Sequence, residues 1–338
     1  MIFSLKLFFA LLIIACVPTC YANDQQLNEI VKSQVDKKIL WVTDTHLNTS
    51  NADAFIRTIK NSACEAIFIT GDIADGNLVE TLRVIADRVA KPIYFVLGNS
   101  DNAYGSSTSE IRQSLAMLMK EKTNLRYLHD APIYFEPRNL ITGVKTAVVG
   151  IDGYADSWNV SKIQRQQDLA MFECNVRGAI FNGAKRIVIL THVPPFMMDC
   201  WYKGEITTAK NAPHYSSSES ATLFLNLANE YPSVTFVVYC GHTHNSSYQA
   251  YPSTAALGDT KREPNLFVYV GDNFLSETDA FGDGNLTRVY TINQSSFLPD
   301  SFEFTRSGKT TVLKDGARSV VKDVPSRDLV TYLLTLAK

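Results

Sequence analysis

The chain has 338 residues, of which 46% are hydrophobic and 20% are charged, a balance typical of a globular protein with a large core. Its formal net charge is −2, and the sequence contains neither a block of lysine and arginine nor a pattern of interleaved aromatic and basic residues. These features argue against a nucleic-acid-binding surface and favour a small polar substrate over a polymer.

The N-terminus has the features of an export signal. A single cation, Lys6, precedes the apolar run 7–14, which is too short to span a bilayer but has the length of a signal-peptide core. We therefore predict a signal peptide over residues 1–22 and an exported protein. Residues 13–16 also resemble a bacterial lipobox, which would place a lipid anchor on Cys16. No later apolar run has the length of a transmembrane helix.

Strand-like and helix-like runs alternate through the rest of the chain. The strand-like runs are 39–43, 66–69, 93–97, 145–151, 186–190, 234–239, 266–270 and 288–292. The helix-like runs are 52–60, 78–90, 107–120, 161–181, 218–229 and 326–336. This alternation predicts a layered α/β sheet structure. No linker divides the chain, so we predict one main domain over 23–300 and a C-terminal extension over 301–338, whose terminal helix packs on the domain.

Four cysteines remain after the predicted signal peptide, and an exported protein permits disulfides between them. Cys64 and Cys240 flank strand-like runs, so we predict that they are buried thiols. Cys200 lies in a predicted loop and is the favoured bridge partner, with Cys174 as its candidate mate. The sequence does not choose among the three possible pairings.

Five short polar clusters follow strand-like runs in a fixed order. They are Asp44-Thr45-His46, Gly71-Asp72-Ile73-Ala74-Asp75, Gly98-Asn99-Ser100-Asp101, Thr191-His192 and Gly241-His242-Thr243-His244. In an open α/β sheet such segments converge at the edge where ligands bind. Aspartate and histidine offer oxygen and nitrogen donors suited to manganese, iron or zinc. Their number suffices for two adjacent cations that share one carboxylate.

This ordered set resembles the calcineurin-like metallophosphoesterase superfamily, whose pattern is D-x-H, GDxxD, GNH(D/E), H and GHxH, over roughly residues 38 to 275. The resemblance implies an α/β fold, a four-layer α/β/β/α sandwich of two mixed sheets flanked by helices. It implies that one metal is held by Asp44, His46 and His244. It implies that the other is held by Asn99, His192 and His242, and that Asp72 bridges both.

Such a site indicates a phosphoric ester hydrolase. Two cations about 3.5–4 Å apart lower the pKa of a bridging water and neutralise charge on a phosphoryl oxygen during in-line attack. We therefore predict that a metal-bridging hydroxide attacks a small phosphomonoester or phosphodiester, with Asp72 and Asn99 as catalytic residues. The identity of the metals, the preference for mono- or diesters and the oligomeric state stay open.

One position departs from the family pattern. Ser100 stands where most members have the histidine of GNH, which is thought to stabilise the transition state or to protonate the leaving group. Losing a positioned proton donor typically costs about 10²–10⁴-fold in rate. Three explanations are open: His214 or Asp101 supplies the proton, the substrate has a good leaving group, or the enzyme has lost activity.

Two other functions compete with the main prediction. The first is an exported phosphodiesterase or nucleotidase that acts on nucleotides or lipid head groups. The second is a non-catalytic metal- or phosphate-binding protein, in which Ser100 marks the loss of turnover.

Some residues near the clusters favour a structural role. We predict that Asp75 holds its loop through backbone amides and that His129 is a surface or satisfied core histidine. Four aromatic residues fall in loops near the predicted metal face, where packing is favoured over stacking on a substrate. They are Tyr154, Trp158, Trp201 and Tyr202.

Overall fold

The computed structural model describes residues 37–48, 52–101, 108–136, 144–158, 160–196, 201–202, 205–206, 212–251, 264–272, 288–306 and 309–314. All of these belong to one unit that spans residues 37–338. The predicted signal peptide, Cys16 and the predicted terminal helix over 326–336 lie outside the described residues. Within the described ranges, no helix has both the length and the apolar character needed to cross a bilayer.

Strands and helices alternate along the chain as predicted. The helices are α1 (Ala52–Asn61), α2 (Leu78–Arg88), α3 (Thr108–Glu121), α4 (Lys162–Phe181), α5 (Ala212–Tyr215) and α6 (Ser218–Glu230). The first eight strands are β1 (Lys38–Val42), β2 (Cys64–Thr70), β3 (Ile93–Val96), β4 (Leu125–Tyr127), β5 (Ile133–Phe135), β6 (Thr146–Ile151), β7 (Arg186–Thr191) and β8 (Trp201–Tyr202). The others are β9 (Glu205–Ile206), β10 (Thr235–Cys240), β11 (Ser247–Tyr251), β12 (Leu266–Val270), β13 (Tyr290–Asn293), β14 (Leu298–Pro299), β15 (Ser301–Arg306) and β16 (Lys309–Lys314).

The larger strands form two mixed sheets. The first has the order β14-β13-β1-β2-β3-β4, in which β1 to β4 are parallel and β13 and β14 pair antiparallel. The second has the order β11-β12-β10-β7-β6-β5, in which the four inner strands are parallel and the two outer strands are antiparallel. The parallel strands carry the polar clusters at their carboxyl ends, so the topology brings those ends together.

Alternation along the strands separates three hydrophobic layers. In β1, Ile39 and Trp41 face the second sheet and contribute to the central core, whereas Leu40 and Val42 face the helices. Helices α1 to α3 cover the outer face of the first sheet, and α4 and α6 cover the outer face of the second. This arrangement confirms the predicted sandwich of two mixed sheets flanked by helices.

The hairpin of β15 and β16 was not predicted. It pairs Ser301 with Lys314 at its open end and contributes Phe302, Phe304 and Leu313 to the central core. The hairpin is the described part of the predicted C-terminal extension, and in β15 the buried Phe302 and Phe304 alternate with the exposed Ser301 and Glu303, as expected for a strand with one solvated face. The packing of the terminal helix stays a prediction.

The cysteines follow the prediction in part. Cys64 and Cys240 are buried free thiols, as expected. Cys174 is an exposed free thiol, so it does not form the bridge to Cys200 that the sequence favoured. Cys200 itself lies outside the described residues.

Candidate metal centre

The five polar clusters meet where the carboxyl ends of the two sheets face each other. The loops after β1 and β2 run side by side, with the amide of His46 donating to the carbonyl of Asp72 at 2.9 Å. The loops after β7 and β10 are joined in the same way, because the amide of Gly241 donates to the carbonyl of His192 at 2.9 Å. The first sheet therefore supplies the aspartates together with His46, and the second sheet supplies the other histidines.

The structure contains two groups of donor atoms, and the atoms within each group are close enough to bind one cation together. The donor atoms of Asp44, His46 and His244 lie within 4.8 Å of one another, and those of Asp44, Asp72 and His192 do the same. The remaining predicted ligands are adjacent to these groups. Asn99 Oδ1 lies 3.0 Å from His192 Nε2, and the ring of His242 is centred 5.1 Å from the ring of His192. All seven residues that the sequence predicted as ligands are thus in one cluster.

The backbone at these positions is strained. Among the described residues, six non-glycine residues have a positive φ, and five of them are predicted ligands. The five are Asp44, His46, Asp72, His242 and His244, with φ between 42° and 69°. Left-handed conformations in residues other than glycine cost about 1–3 kcal/mol and cluster at functional sites. The concentration of strain in this cluster supports a functional role.

Two glycines of the motifs are required by close packing at the cluster. A Cβ on Gly241 would lie 1.9 Å from Thr43 Oγ1 and 2.2 Å from Asp44 Oδ2. A Cβ on Gly98 would lie 2.3 Å from Asp72 Oδ1. Only glycine lets these backbone segments approach the carboxylates so closely.

The hydrogen bonds of two histidines fix which ring nitrogen is available to a cation. His192 Nδ1 lies 2.9 Å from the carbonyl oxygen of Thr70, and His242 Nε2 lies 3.0 Å from that of His214. Because a carbonyl oxygen only accepts, these nitrogens carry hydrogen, and the opposite nitrogen of each ring is the one that a cation can reach. This use of the second nitrogen is the usual way in which proteins orient histidine ligands.

Asp75 serves the same purpose for His46. The sequence predicted that this carboxylate would hold its own loop through backbone amides, but Asp75 Oδ1 instead lies 2.8 Å from His46 Nδ1. The side chain of Asp75 is exposed, so its role is the orientation of the imidazole rather than the burial of a charge. Sequence spacing gave no signal for this contact, which joins residues in two different loops.

Asp101 is placed as a loop clamp. Its side chain is buried; Oδ1 accepts from the amides of Ile73 and Ala74, and Oδ2 accepts from the amide of Gly98. Burial and the nearby charge of Asp72 raise the pKa of Asp101 to about 7. Both of its oxygens are committed to backbone amides, which disfavours the proton-donor role that the sequence had left open.

Ser100 is turned toward the predicted bridging carboxylate. Its amide donates to Asp72 Oδ1 at 2.7 Å, and its hydroxyl donates to Asp72 Oδ2 at 3.1 Å. His214, the other candidate proton donor, is exposed on α5 and contacts the cluster through the carbonyl that accepts from His242. The position of Ser100 thus supports the orientation of Asp72 and supplies no acid.

Electrostatics favour the metal-binding protonation state at two of the predicted ligands, Asp44 and His242. Burial raises the pKa of Asp44, but the hydrogen bond from His244 and the charge of His192 lower it overall, well below its usual range. Burial and the charge of His192 lower the pKa of His242 to about 4. Asp44 is therefore ionised and His242 is neutral at pH 7, as metal ligation requires.

A buried ion network lies behind the cluster. Arg112 Nη1 and Nη2 donate to both oxygens of Asp168 at 3.0 and 2.9 Å, and Nη2 donates to Asp152 Oδ2 at 3.0 Å. Asp152 Oδ1 accepts from the amide of Leu97, directly before the Gly98-Asn99 loop. His129 is a core histidine whose Nε2 lies 3.2 Å from Asp168, in agreement with one of its two predicted roles. The sequence gave no signal for this network as a unit.

Two mixed sheets that direct Asp and His side chains from their strand ends into one cluster define a metal-binding phosphoesterase fold. The model of the calcineurin-like phosphoesterase family matches residues 37–246, so the chain belongs to that family. Members of the family are phosphoesterase hydrolases that use divalent metals. A search of curated proteins gave no match.

Several solved structures are similar to this chain at low sequence identity. GAP50, the anchor in the inner membrane complex of Plasmodium, has 13% identity and a TM-score of 0.50, and the match covers 84% of this chain and 91% of GAP50. A Thermus thermophilus protein has 12% identity and a TM-score of 0.44, with 83% and 99% covered. The calcineurin-like phosphoesterase YfkN from Bacillus subtilis has 12% identity and a TM-score of 0.39, with 89% and 96% covered.

Proposed function

We propose that the chain is an exported hydrolase of phosphoric esters with a two-metal site. In this proposal one cation is bound by Asp44, His46 and His244, the other by Asn99, His192 and His242, and both by Asp72. The donor set contains the imidazole and carboxylate ligands that manganese, iron and zinc use. The export-signal features of residues 1–22 support the location outside the cytoplasm.

The observation that carries the proposal is the environment of His192. This buried ring donates through Nδ1 to the carbonyl oxygen of Thr70, so Nε2 is the ring nitrogen that is available to a ligand. Nε2 lies 3.0 Å from Asn99 Oδ1 and 3.5 Å from Asp72 Oδ1. An imidazole nitrogen, an amide oxygen and a carboxylate oxygen that face one place match the ligands of a divalent cation, which would take the position of the ring proton. The residues therefore fit a metal ion.

Bound cations would supply Lewis acidity, which lowers the pKa of a water and neutralises charge on a phosphoryl oxygen. The chain's own residues hold the ligands in place. Asp75 orients His46, and the carbonyl of His214 orients His242. Asp101 clamps the loops that carry Asp72 and Asn99, because it binds the amides of residues 73, 74 and 98. The site is thus organised before a substrate arrives.

We assign the proton donor to His214, since Asp101 is committed to backbone amides. The side chain of His214 is exposed, and its backbone carbonyl contacts the cluster through His242, so this residue offers an imidazole at the edge of the site for general acid catalysis. His214→Ala should lower turnover of phenyl phosphate by about 10²–10⁴-fold, whereas p-nitrophenyl phosphate, which has a better leaving group, should lose less. Ser100→His in the same variant should restore part of the loss. Equal losses on both esters would remove His214 from the mechanism.

The main test is hydrolysis of p-nitrophenyl phosphate and bis-p-nitrophenyl phosphate by metal-stripped protein that is reconstituted with Mn²⁺. Turnover should need Mn²⁺ and should disappear in Asp72→Asn, because the shared carboxylate is lost. Asp87→Asn is the matched control, since its carboxylate pairs with Lys122 on the surface away from the cluster. Turnover that survives in Asp72→Asn would refute the two-metal proposal. The ratio of the two rates would establish the preference for mono- or diesters.

Ser100 favours one alternative, a metal-binding protein without turnover. Its hydroxyl occupies the place of the family's histidine and donates to Asp72. This alternative predicts stoichiometric Mn²⁺ binding by calorimetry together with no hydrolysis of either activated ester. It also predicts that Ser100→His would create activity where the native chain has none.

A further inference from the structure

Two partly exposed aromatic rings flank His242. The ring of Trp158 is centred 5.2 Å from the imidazole and meets it edge to face at 85°. The ring of Tyr215 is centred 6.3 Å from the same imidazole. Both aromatic residues are half-buried and lie beside a predicted metal ligand.

Trp158 is held by the protein around it. The guanidinium of Arg165, on α4, donates to the carbonyl oxygens of Ala155 and Trp158 at 2.9 and 2.6 Å. The ring of Tyr154 is centred 6.5 Å from that of Trp158 and meets it edge to face. Tyr154 in turn donates its hydroxyl to Asp168 at 3.1 Å. The indole of Trp158 thus packs against Tyr154, which is hydrogen-bonded to the buried ion network.

Tyr154 and Trp158 differ in burial, which indicates different roles. Tyr154 is 8% exposed and packs the loop, as the sequence favoured for all four loop aromatics. Trp158 keeps an exposed portion although it is large and apolar, and it lies against His242 rather than in the core. A rigid, partly exposed indole beside a reaction centre provides a stacking surface at little cost in conformational entropy. The side chains of Trp201 and Tyr202 are not among those that the structure describes.

We propose that Trp158, assisted by Tyr215, selects phosphoric esters that carry a planar aromatic group next to the phosphorus. The inference rests on the proposed function, because it places the phosphoryl group at the metal cluster and the aromatic group against the indole. Aromatic rings that stack or meet edge to face gain about two- to tenfold in binding beyond their buried area. Trp158 is a specificity-determining residue and does not contact the reacting atoms.

The test compares phenylphosphonate with cyclohexylphosphonate. The two carry the same charged group and a six-membered ring of similar size, but only the first ring is planar and aromatic. Their dissociation constants for the Mn²⁺-loaded protein are measured by calorimetry, so the readout does not depend on turnover. We expect the native protein to bind phenylphosphonate about threefold to tenfold more tightly. Trp158→Leu should abolish the preference, and Trp158→Phe should retain part of it.

Tyr134→Leu is the control, because this exposed aromatic residue lies on the outer strand β5 and should leave the ratio unchanged. Equal affinities in the native protein, or a ratio that survives in Trp158→Leu, would refute the role of the indole. Ester hydrolysis with equal affinities would overturn this inference alone. A clear preference without any hydrolysis would overturn only the proposed enzymatic function. Absence of binding by both phosphonates would overturn both.

Discussion

The buried network around Arg112 predicts a large and pH-dependent loss of stability when its cation is removed. Arg112→Met keeps most of the side-chain volume but leaves the carboxylates of Asp152 and Asp168 without the guanidinium. Their side chains are only 2% and 3% exposed, so water cannot replace it. Breaking a buried pair by removing one partner typically costs about 3–5 kcal/mol, a large share of the stability of a domain.

Protonation limits this cost and gives it a pH dependence. In the variant Asp168 keeps its contacts with His129 and Gln164, and Asp152 keeps the amide of Leu97 and the hydroxyl of Tyr127 but has no cation at hydrogen-bond distance among the described residues. Asp152 is therefore the carboxyl that can reduce its penalty by taking up a proton. Uptake by a carboxyl with an ordinary pKa near 3.9 costs about 4 kcal/mol at pH 7 and about 1.5 kcal/mol at pH 5. In Arg112→Met the buried carboxyl that has lost the guanidinium has a pKa in the folded state above its value in the unfolded state. The loss in unfolding free energy relative to the native protein therefore grows as the pH rises and shrinks as the pH falls.

The Asp168 carboxylate of the native protein stays ionised over this range. Burial raises the pKa of Asp168, but the hydrogen bonds from His129 and Arg112 lower it overall. A lowered pKa contributes stability that is present above the unfolded value and is lost only as the pH falls below it. The pairing of Asp168 with Arg112 is thus present at both pH 7 and pH 5.

The assay is urea unfolding followed by circular dichroism at pH 7 and pH 5. Arg88→Met is the matched control, because Arg88 pairs with Asp53 on the surface and its removal should change the unfolding free energy little at either pH. A loss in Arg112→Met below about 1 kcal/mol at pH 7, or one that is equally large at pH 5, would refute the reasoning.

Three further predictions concern the cluster and the hairpin. Gly241→Ala would place a Cβ 1.9 Å from the hydroxyl of Thr43 in the neighbouring loop, so calorimetry should show weakened Mn²⁺ binding. Gly178→Ala is the control, because a Cβ at this position on α4 meets open space. This control should bind Mn²⁺ normally and should gain up to about 1 kcal/mol in its free energy of unfolding by urea. Asp75→Asn should weaken Mn²⁺ binding by about 10–100-fold, because the imidazole that it orients loses its ionic partner; unchanged affinity would refute this role. Phe302→Ala should lower the free energy of unfolding by about 3–5 kcal/mol in urea, whereas Val312→Ala in the same hairpin should lower it far less because Val312 is exposed. Equal losses in the two variants would contradict the packing of the hairpin on the central core.

Periodicity revealed most of the elements because one face of each is buried. In α1 the buried residues Ala52, Phe55, Ile56 and Ile59 have helical spacing, and the sequence placed that helix within one residue of its observed end. Strands β4 and β5 have three residues each, too few for a periodic signal. The hairpin was missed although Phe302 and Phe304 alternate with polar residues, because the surrounding segment is predominantly polar.

The candidate site was predicted in composition but not in detail. Order and strand-end placement of the motifs identified the residues that converge, because the topology fixes where the carboxyl ends of parallel strands meet. Contacts between separate loops carry no such pattern. The carboxylate of Asp75 beside His46 and the indole of Trp158 beside His242 depend on backbone conformations that no short motif encodes.

The division of the donors between two sheets has a consequence for the maturation of the chain. Asp44, His46, Asp72 and Asn99 follow strands of the first sheet, and His192, His242 and His244 follow strands of the second. Each proposed cation draws ligands from both sheets, so a half-assembled chain would hold an incomplete ligand set for either cation, and high affinity would arise only when the sheets dock. A bound cation would then stabilise the fully assembled state selectively, by mass action. Metal binding would thus protect fully folded molecules from proteolysis, whereas incompletely folded ones would stay susceptible to it.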